Sequence, residues 1–592
     1  MQVLAGPGSG KTFTIIRRIC YLLDQCSIRP ETILVITFTR EAANEMKRRF
    51  MRSYTYPFPE VQFGTFHSIF YQILKESDRI GQVNPATEQE KRNILQRLIP
   101  DQEKENWPEE DTITILLSEI SKVKNSAKGL TAFTESKVLE SREQFEQLYK
   151  EYNEVLKMQG KIDFDDMILR CFTLLKENPA IRQKWQEQFQ FILVDEFQDI
   201  NGLQYQVLKL LAQPHNNIFV VGDDDQAIYG FRGAQPAIMK EFLQDFPDCR
   251  QIFLTVNYRS HCIITESSSK IIAENRDRIG KQIVSASQCD NKDKETVMIR
   301  QFAESEAETE YLVSLLKSKT KVQLADTAII MRTNQSVQVL SIRLAKEGIP
   351  YHSRLKQSNP FQHFIARDFI SYLTFSGDHN RKDFLRIMNR PLRYITRSAV
   401  TEPVVTEQQV LSYYQQNTKM QSEIQKLFAN CRLLATLSPF LAINYIRKGM
   451  GYDIFLKTIN QNCPAKDNIA MADSLQESAR GYETFAQWHS FTKDYQPLSD
   501  KDSVRVAGGS QAEGVSLLTM HAAKGLEYSC VIIPDITQGN IPSRKAKRDA
   551  EMEEERRLLY VAMTRAKEEL HLLSSSSSQK QPSVFLKPLI SP

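Results

Sequence analysis

The residues with the most specific chemistry stand near the start of the chain, where residues 4–12 read LAGPGSGKT. An apolar run leads into a glycine-rich turn, and Gly-Lys-Thr then opens a segment with the apolar periodicity of a helix. This order is typical of a P-loop, in which backbone N–H groups surround phosphate oxygens at the N-terminus of the next helix. The first glycine of the usual G-x-x-x-x-G-K-[ST] pattern is replaced by Ala5.

The P-loop pattern predicts a role for each residue of the loop. Its glycines allow positive φ angles and a close approach of the phosphates. We expect Lys11 to bind the β- and γ-phosphates and Thr12 to hold Mg²⁺. The residues expected to contact the nucleotide are Gly6, Gly8, Ser9, Gly10, Lys11, Thr12 and Phe13. A glycine-rich turn without a ligand is the alternative, and the motif alone names no reaction.

A second apolar run ends in acidic residues. FILV at 191–194 is followed by Asp195 and Glu196 within the segment DEFQD. One carboxylate at the end of a buried strand can hold Mg²⁺, and another can orient and deprotonate the attacking water. We therefore expect Asp195 to support the metal ion and Glu196 to activate water. Together with the P-loop, this pair predicts nucleotide hydrolysis.

Three other segments carry candidate binding residues. ILVI at 33–36 leads to Phe38, residues 64–68 read GTFHS, and IFVV at 218–221 leads to GDDDQAIYGFRG. In a doubly wound parallel sheet, ligands bind at the carboxyl ends of the strands. Aromatic side chains at that edge can stack on nucleobases. Ordinary core packing is the alternative for Phe38.

Composition sets limits on the class of protein. A chain of 592 residues is long enough for several domains. With 76 Lys+Arg against 72 Asp+Glu, any contact with nucleic acid must come from a local groove. The nine cysteines include no C-x-x-C pair, which argues against a zinc or iron–sulfur site and against a disulfide framework. Without a long apolar run or a signal peptide, we expect a cytoplasmic protein that does not contact a membrane.

Residues 76–161 differ from the segments on either side. They show charged, helical periodicity with few strand signals, which predicts a helical insertion. Lys122 and Lys124 lie in this segment, within the sequence ISKVKN. Two interpretations stay open for such lysines, namely contact with phosphates or an ordinary solvated helix face.

The motifs in their order resemble a known family. AGPGSGKT, FTREAA, GTFHS, DEFQD and GDDDQAIYGFRGA are similar to the motifs of the UvrD/PcrA/Rep family of superfamily-one DNA helicases. The similarity continues with VNYRS at 256–260, AIIMRTN at 328–334, TMHAAKGLE at 519–527 and EEERRLLYVAMTRA at 553–566. Because these segments span nearly the whole chain in the family's order, the resemblance is specific.

The resemblance implies an α/β fold with two RecA-like P-loop domains, in which helices flank parallel sheets and ATP binds between the domains. A mainly helical insertion interrupts each domain. The expected boundaries are 1–75 and 162–250 for the first domain (1A), 76–161 for its insertion (1B), 251–390 and 504–592 for the second domain (2A), and 391–503 for its insertion (2B). The last segment is shorter than usual in the family.

The resemblance also implies roles in ATP hydrolysis, carried over by position. Lys11 and Thr12 would bind phosphate and Mg²⁺, Asp195 would support the metal ion, and Glu196 would activate water. The remaining roles are γ-phosphate sensing by Gln226, adenine stacking by Tyr258, a ribose contact by Glu527, and two arginine fingers from the second domain, Arg259 and Arg565. The family usually reads adenine with a glutamine segment upstream of the P-loop, and we expect Gln2 to stand too close to the loop for that role. Two explanations stay open, namely a chain that starts late or recognition of adenine without that group.

The pattern around Arg565 agrees with the finger role. Leu558, Val561, Ala562 and Arg565 are spaced at i, i+3, i+4 and i+7. An arginine that continues an apolar stripe needs an anionic partner, and a phosphate suits it. The alternative partner is a nearby glutamate, Glu554 or Glu555.

On the DNA side, the resemblance implies a surface that stacks bases without reading their identity. The expected residues are Phe38, Thr39, Thr65, Phe66, His67, Tyr229 and Phe231 in the first domain and His521 in the second. Phe231 stands where the family more often has tryptophan.

The resulting hypothesis is an ATP-dependent 3′–5′ motor on single-stranded DNA that unwinds 3′-tailed duplexes in repair or replication, with accessory proteins that the sequence does not identify. One alternative is a translocase that displaces proteins and unwinds little. A second is a nucleotide-gated DNA-binding module without turnover. A small-molecule P-loop kinase is a further alternative, although it has no use for the aromatic residues at the sheet edge.

Overall fold

The computed structural model describes residues 1–54, 60–77, 84–99, 109–125, 129–133, 136, 139, 141–230, 233–287, 296–353, 359–459, 465–495, 514–544, 546–576 and 581–590. The chain forms two compact units. Unit 1 contains Met1–Met298, Gln538–Leu570 and Ser583–Pro592, and unit 2 contains Ile299–Thr537 and His571–Pro582.

The strands and α-helices are numbered in chain order. The strands are β1 (Gln2–Ala5), β2 (Ile33–Thr37), β3 (Gln62–Thr65), β4 (Asn84–Pro85), β5 (Lys161–Ile162), β6 (Phe191–Val194), β7 (Ile218–Gly222), β8 (Gln251–Leu254), β9 (Val256–Asn257), β10 (Val284–Ser285), β11 (Val297–Phe302), β12 (Thr327–Met331), β13 (Tyr351–Ser353), β14 (Val515–Thr519), β15 (Tyr528–Ile533) and β16 (Ala566–Ser575). The helices are α1 (Lys11–Asp24), α2 (Arg40–Ser53), α3 (Phe66–Glu76), α4 (Glu88–Leu98), α5 (Glu109–Lys124), α6 (Arg142–Met158), α7 (Phe164–Glu177), α8 (Pro179–Gln188), α9 (Gly202–Ala212), α10 (Ile238–Asp245), α11 (Cys262–Ile272), α12 (Ser305–Ser318), α13 (Lys321–Ala325), α14 (Asn334–Lys346), α15 (Phe364–Asp378), α16 (Arg381–Ile387), α17 (Glu407–Tyr413), α18 (Thr418–Leu434), α19 (Pro439–Asn444), α20 (Tyr452–Ile459), α21 (Ala465–Ser478), α22 (Phe485–Asp494), α23 (Asp549–Met563) and α24 (Lys587–Ile590).

Unit 1 is built on a six-stranded parallel sheet with the order β3-β2-β6-β7-β1-β8. Successive residues of one strand enter different cores, since Val3 packs in one hydrophobic cluster with Ile15 and Leu4 packs in another with Ile69. Helices therefore cover both faces, which explains why the strands read as continuous apolar runs. The α/β class predicted from the sequence is confirmed.

The parallel arrangement brings the motif residues to one edge of this sheet. The strands β1, β2, β3, β6 and β7 run in the same direction, so the loops that follow them lie side by side. The P-loop, Phe38 and Thr39, the acidic pair and the aspartate run lie in these loops, and His67 lies in the first turn of α3, directly after β3. The fold thus brings motif residues that are far apart in the sequence to one edge of the sheet.

A separate helical part of unit 1 lies between β3 and β6 in the chain. The helices α4, α5 and α6 share their own hydrophobic cluster, which includes Leu95, Leu116 and Phe145. The short parallel pair of β4 and β5 joins the two ends of this segment, with Asn84 opposite Lys161.

Lys124, at the end of α5, fits neither interpretation that the sequence left open. Its ammonium is fully buried and lies 2.6 Å from Asp163 Oδ2 and 2.8 Å from Asp166 Oδ2. The sequence could not show this pairing because the partners lie about 40 positions further along the chain. Lys124 therefore contacts neither phosphate nor solvent.

The second six-stranded sheet has the order β11-β16-β15-β12-β14-β13, and β12 pairs in parallel with both β14 and β15. In unit 2, residues such as Ile329 and Leu517 form the core against α12 and α14. The helices α15 to α22 share a second and larger core, which includes Phe369, Ile424 and Trp488.

Two contacts lie close to predicted domain boundaries. The predicted boundary at 250 falls just before β8, which pairs with β1 in the first sheet, with Gln251 opposite Gln2. The predicted start of the second insertion at 391 falls after Phe369 and Phe384, which belong to the helical core. The domain boundaries stay predictions.

Two further observations concern the expected location and cysteine chemistry. Within the described residues, no helix combines the length and the apolar character that crossing a membrane requires. Cys262, at the start of α11, is disulfide-bonded, whereas the sequence predicted no disulfide framework. Cysteines such as Cys171, Cys431 and Cys530 are free thiols.

Candidate nucleotide site and aromatic edge

The P-loop joins β1 to α1, and its conformation depends on glycine. Gly8 and Gly10 have φ angles of 67° and 86°, in the left-handed region that side chains disfavour. A Cβ atom on Gly8 would also lie 2.3 Å from Asn257 Oδ1 and 2.6 Å from Arg259 Cβ. Gly8 is therefore required both by its backbone conformation and by its close neighbours.

Lys11 places a positive charge at the start of α1. Its ammonium is buried and has no hydrogen-bond partner among the described residues. The N-cap residue Gly10 supplies no side-chain acceptor for the first backbone N–H groups. A buried ammonium without a partner is costly, and so are unsatisfied helix N–H groups. A bound triphosphate would satisfy both, so the loop fits the ligand that its sequence predicts.

The residues predicted to hold Mg²⁺ have suitable chemistry. Thr12 offers a hydroxyl in the first turn of α1, and Asp195 offers a carboxylate at the end of β6, where it is 7% exposed. Oxygen ligands of this kind suit Mg²⁺, which would neutralise charge on the bound phosphates.

The acidic pair after β6 is held in an unusual conformation. Glu196 has φ 50° and ψ 45°, a left-handed geometry that is uncommon for residues other than glycine. Gln198 Nε2 donates to Glu196 Oε2, and Gln198 Oε1 accepts the backbone N–H of Asp223 at 2.9 Å. A buried glutamine thus links the proposed base to the loop after β7. Strained residues of this kind concentrate at functional sites.

The loop after β7 contains a buried charge cluster. The ammonium of Lys281 lies 2.8 Å from Asp223 Oδ1, 2.5 Å from Asp224 Oδ1 and 2.8 Å from Asp225 Oδ2. Arg278 binds Asp225 through two hydrogen bonds of 3.0 and 2.7 Å. The cluster fixes three consecutive side chains of the motif.

Gln226, the predicted γ-phosphate sensor, is oriented by the same cluster. Its Nε2 donates to Asp223 Oδ2 at 2.5 Å. Burial alone would raise the pKa of Asp223, but the ammonium groups of Lys281 and Lys11 outweigh it and lower the pKa. Asp223 is therefore ionised at neutral pH and is a strong acceptor for Gln226.

The segment that follows β8 packs against the P-loop. The backbone N–H of Tyr258 donates to the carbonyl oxygen of Gly8 at 3.0 Å, and the Tyr258 side chain is 73% exposed. Asn257 Oδ1 accepts the backbone N–H groups of Arg259 and Ser260 at 2.8 and 3.1 Å. Tyr258 is thus anchored by its backbone beside the phosphate loop with its ring free to stack.

Arg565 follows α23 and is buried, with 2% exposure. Its Nε donates to the carbonyl oxygen of Val561 at 2.9 Å, and its Nη2 donates to Thr564 Oγ1 at 3.0 Å. Arg259 Nη1 reaches the carbonyl oxygen of the same Thr564 at 3.4 Å. Both predicted arginine fingers therefore converge on one threonine.

Arg259 and Arg565 lie in unit 1, together with the P-loop. The helix that precedes Arg565, α23, contacts the loop after β7, where Glu554 accepts the backbone N–H of Gly230 at 2.9 Å. The assignment of both arginines to the second domain as arginine fingers stays a prediction. The predicted ribose contact Glu527 and the predicted DNA contact His521 belong to unit 2, and their roles stay predictions.

The two aromatic residues after β2 and β7 contact each other. The rings of Phe38 and Tyr229 are stacked, with centroids 5.0 Å apart and an angle of 16° between the planes. Both side chains are partly exposed. The sequence predicted two separate stacking residues, whereas the structure forms a single two-ring platform. Phe231 lies outside the described residues.

The residues after β3 divide into core and surface. Phe66 was predicted to contact DNA but is 2% exposed and packs on Phe70 in the main core, which leaves no ring face for a base. Phe66 is spaced at i from Ile69 (i+3), Phe70 (i+4) and Ile73 (i+7), so it lies on the apolar side of α3. His67, the next residue, is partly exposed and meets the edge of Phe164 at 5.1 Å.

The two threonines at this edge have structural bonds. Thr39 caps α2 by accepting the backbone N–H of Ala42 at 3.1 Å, and Thr65 caps α3 by accepting that of Ser68 at 3.3 Å. Caps of this kind stabilise a helix by about 1 kcal/mol. Their hydroxyls therefore have a role that needs no ligand, although they remain accessible at the edge.

Sequence reasoning missed Lys281, Arg278 and Asn257 as parts of the site. Lys281 and Arg278 lie more than 50 positions from the aspartates that they contact, so no local pattern joins them. Asn257 stands inside VNYRS, and no local pattern in that segment indicates that its side chain accepts two backbone N–H groups. The buried side chain of Gln2 donates to the carbonyl oxygen of Met239 at 2.7 Å.

Comparison with known proteins adds an independent result. Two family models match, "UvrD/REP helicase N-terminal domain" over residues 1–247 and "UvrD-like helicase C-terminal domain" over residues 252–417 and 498–577. The chain is 30% identical over 624 residues to "Putative ATP-dependent DNA helicase YjcD" of Bacillus subtilis strain 168, which covers 100% of this chain and 79% of that protein. It is 30% identical over 638 residues to "ATP-dependent DNA helicase PcrA" of Staphylococcus epidermidis strain RP62A, covering 99% and 84%. It is also 30% identical, over 634 residues, to "ATP-dependent DNA helicase PcrA" of Staphylococcus aureus strain Mu50.

Proposed function

The chain belongs to the UvrD-like helicase family, and from this premise we propose that it is an ATP-dependent DNA helicase that moves along single-stranded DNA. The family has two RecA-like domains. The observation that carries the proposal is the buried ammonium of Lys11, which has no hydrogen-bond partner among the described residues and follows a loop in which Gly8 and Gly10 have positive φ angles. The acidic pair after β6 lies at the same edge of the sheet. These groups together fit a nucleoside triphosphate and its hydrolysis.

In the proposed reaction, Lys11 binds the phosphates and Glu196 deprotonates the attacking water. Phosphoryl transfer is mostly a matter of positioning and charge stabilisation. A hydrogen bond to the ionised Asp223 fixes the orientation of the Gln226 side chain. A fixed orientation suits a residue that detects the γ-phosphate. ATP is the proposed nucleotide, with Mg²⁺ held by Thr12 and Asp195.

The two arginines would stabilise the negative charge that builds up during transfer. The terminal nitrogens of Arg259 and Arg565 both reach Thr564, so a single turn of chain fixes two guanidinium groups. Cations supplied in this way raise phosphoryl-transfer rates by about 10³–10⁵. Tyr258, with its exposed ring beside Gly8, is the proposed stacking partner of adenine.

The proposed DNA contact is the platform of Phe38 and Tyr229, with His67, Thr39 and Thr65 beside it. Stacking on aromatic rings is worth about 1–3 kcal/mol per base and does not depend on base identity. A motor that steps along any sequence needs this tolerance.

We propose 3′–5′ movement, unwinding of 3′-tailed duplexes and a cytoplasmic role in DNA repair or replication, with accessory proteins as partners. These finer points rest on the family resemblance alone. A translocase that displaces proteins, or a nucleotide-gated DNA-binding module, would share the same site.

The test is strand displacement by the full-length chain on duplexes with a 3′ tail, a 5′ tail or blunt ends. The proposal predicts ATP-dependent product from the 3′-tailed duplex above that from the other two. GTP in place of ATP tests the nucleotide. If ATP is hydrolysed but no duplex is opened, the protein-displacing translocase replaces the helicase, and preferred opening of the 5′-tailed duplex would reverse the proposed polarity.

A further inference from the structure

The three aspartates after β7 surround one ammonium. Their carboxylate oxygens lie within 4.8 Å of one another, an arrangement that can hold a cation. Lys281 supplies that cation, since its side chain is 1% exposed and contacts all three carboxylates at 2.5 to 2.8 Å. The three carboxylates fix the position of the Lys281 ammonium, and the ammonium fixes the positions of the three carboxylates.

The charges in this cluster do not balance without a further cation. Lys281 and Arg278 face Asp223, Asp224 and Asp225, so one formal negative charge is left over. Lys11 is close enough to lower the pKa of Asp223, yet its ammonium makes no hydrogen bond to any described residue. The P-loop lysine therefore stands beside an acid that another lysine already occupies.

This arrangement matters because Asp223 is the natural competitor for Lys11. A buried carboxylate that loses its cation is costly and will attract the nearest alternative. If Lys281 were neutral, Lys11 would be the available ammonium, and its pairing with Asp223 would withdraw it from the phosphates.

Building on the proposed function, we propose that Lys281 is a positioning residue of the ATP site. By occupying Asp223 it leaves the ammonium of Lys11 available to the nucleotide, and it holds Asp223 in the orientation that accepts the hydrogen bond from Gln226. Lys281 acts through these residues and does not touch ATP.

The test replaces Lys281 by a neutral side chain of similar length, Lys281→Met. We measure the dissociation constant of a fluorescent ATP analogue, the kcat and KM of ATP hydrolysis, and the folded fraction by circular dichroism. We expect the dissociation constant to rise at least about tenfold, which corresponds to about 1.4 kcal/mol, with a smaller fall in kcat. A merely structural lysine would lower the active fraction and hence the apparent kcat, without changing the dissociation constant.

Lys124→Met is the matched control. Lys124 is also a fully buried lysine of unit 1 that pairs with two aspartates, Asp163 and Asp166. Its loss should reduce stability in a similar way but leave the affinity for the ATP analogue within about twofold of wild type. If both variants lose affinity equally, the effect is general destabilisation and the proposal is overturned.

The rescue variant Lys281→Met/Asp223→Asn removes the carboxylate that would otherwise pair with Lys11, and the carbonyl oxygen of the asparagine can still accept the hydrogen bond from Gln226. We expect it to recover most of the lost affinity, and a double variant as weak as Lys281→Met would contradict the charge argument. If Lys281→Met does not fold, the double variant alone decides, since near wild-type affinity supports the proposal and a tenfold loss overturns it. Wild type that never hydrolyses ATP refutes the proposed function instead, whereas active wild type with an unchanged Lys281→Met refutes only this inference.

Discussion

Two stretches of the same sheet edge in unit 1 are built in opposite ways. The nucleotide stretch, after β1, β6 and β7, consists of buried groups joined by charge pairs and hydrogen bonds, such as Lys281 with Asp223 and Gln198 with Glu196. The aromatic stretch, after β2 and β3 and including Tyr229 at the end of the β7 loop, presents partly exposed rings such as those of Phe38 and His67.

The contrast reflects what each stretch must bind. Phosphate chemistry needs charges whose positions are fixed before the reaction, because a low-dielectric site then stabilises the transition state without reorganisation. A strand of any sequence must be held and released repeatedly, and apolar ring faces do this without specific hydrogen bonds. Substitutions in each stretch test whether turnover and DNA affinity are separate properties of the two.

The largest effect should come from Arg565→Ala. Loss of a cation that stabilises the transferring phosphoryl group should lower ATP turnover by about 10³-fold or more, with a much smaller change in ATP binding. Steady-state hydrolysis and binding of a fluorescent ATP analogue measure the two effects. Because Arg565 also bonds to Val561 and Thr564, Arg565→Lys and a thermal melt accompany it as controls. Equal losses in ATP turnover and ATP binding would show that Arg565 has a structural role and does not stabilise the transition state.

Glu196→Gln should follow, with a fall in turnover of about 10²–10⁴ because the general base is lost. The amide keeps the size of the side chain, so binding of ATP and of single-stranded DNA should persist. Glu187→Gln is the matched control, since Glu187 also accepts a hydrogen bond from a glutamine, Gln183, but on the exposed surface of α8. If Glu196→Gln releases phosphate as fast as wild type, Glu196 is not the general base.

Phe38→Ala should act on the other stretch. We expect a loss of about 1–3 kcal/mol in affinity for single-stranded DNA, because one face of the ring pair with Tyr229 disappears. ATP hydrolysis without DNA should stay near wild type. Tyr21→Ala removes an exposed aromatic ring from α1 and serves as the control in fluorescence-anisotropy titrations. Equal affinities of wild type and Phe38→Ala for single-stranded DNA would show that bases do not stack on Phe38.

The smallest effect concerns pH and His67. Burial lowers the pKa of His67 below its ordinary value of 6.5, so the unfolded chain binds the proton more readily than the folded chain. Stability contributed at this position is therefore lost as pH falls through about 6.5. In urea titrations, the free energy of unfolding of His67→Gln should rise relative to that of wild type as the pH is lowered from 8 to 5. A difference that is constant with pH would show that His67 is not held neutral.

The strands of the nucleotide stretch could be predicted because their sequence signals are local. The apolar runs before Asp195 and Asp223 are buried parallel strands, and the residues after them lie at one edge, as expected for such a sheet. The roles of Lys11 and Gln226 in binding and sensing the nucleotide stay predictions.

Other features could not be predicted because they depend on contacts between remote residues. The pairing of Lys281 with the aspartates and the addition of β8 to the first sheet both arise from tertiary packing. Phe66 is a different case, since its spacing from Ile69 and Phe70 already indicated a core residue. At this position the helical periodicity indicates the environment of the side chain correctly, and the motif resemblance does not.

The most direct test of the central claim is ATP hydrolysis by the full-length wild type with and without single-stranded DNA, beside Glu196→Gln. We predict phosphate release by the wild type that rises when DNA is added, and almost none from the variant under either condition. Wild type that releases no phosphate even with saturating DNA would contradict the claim that this sheet edge hydrolyses ATP.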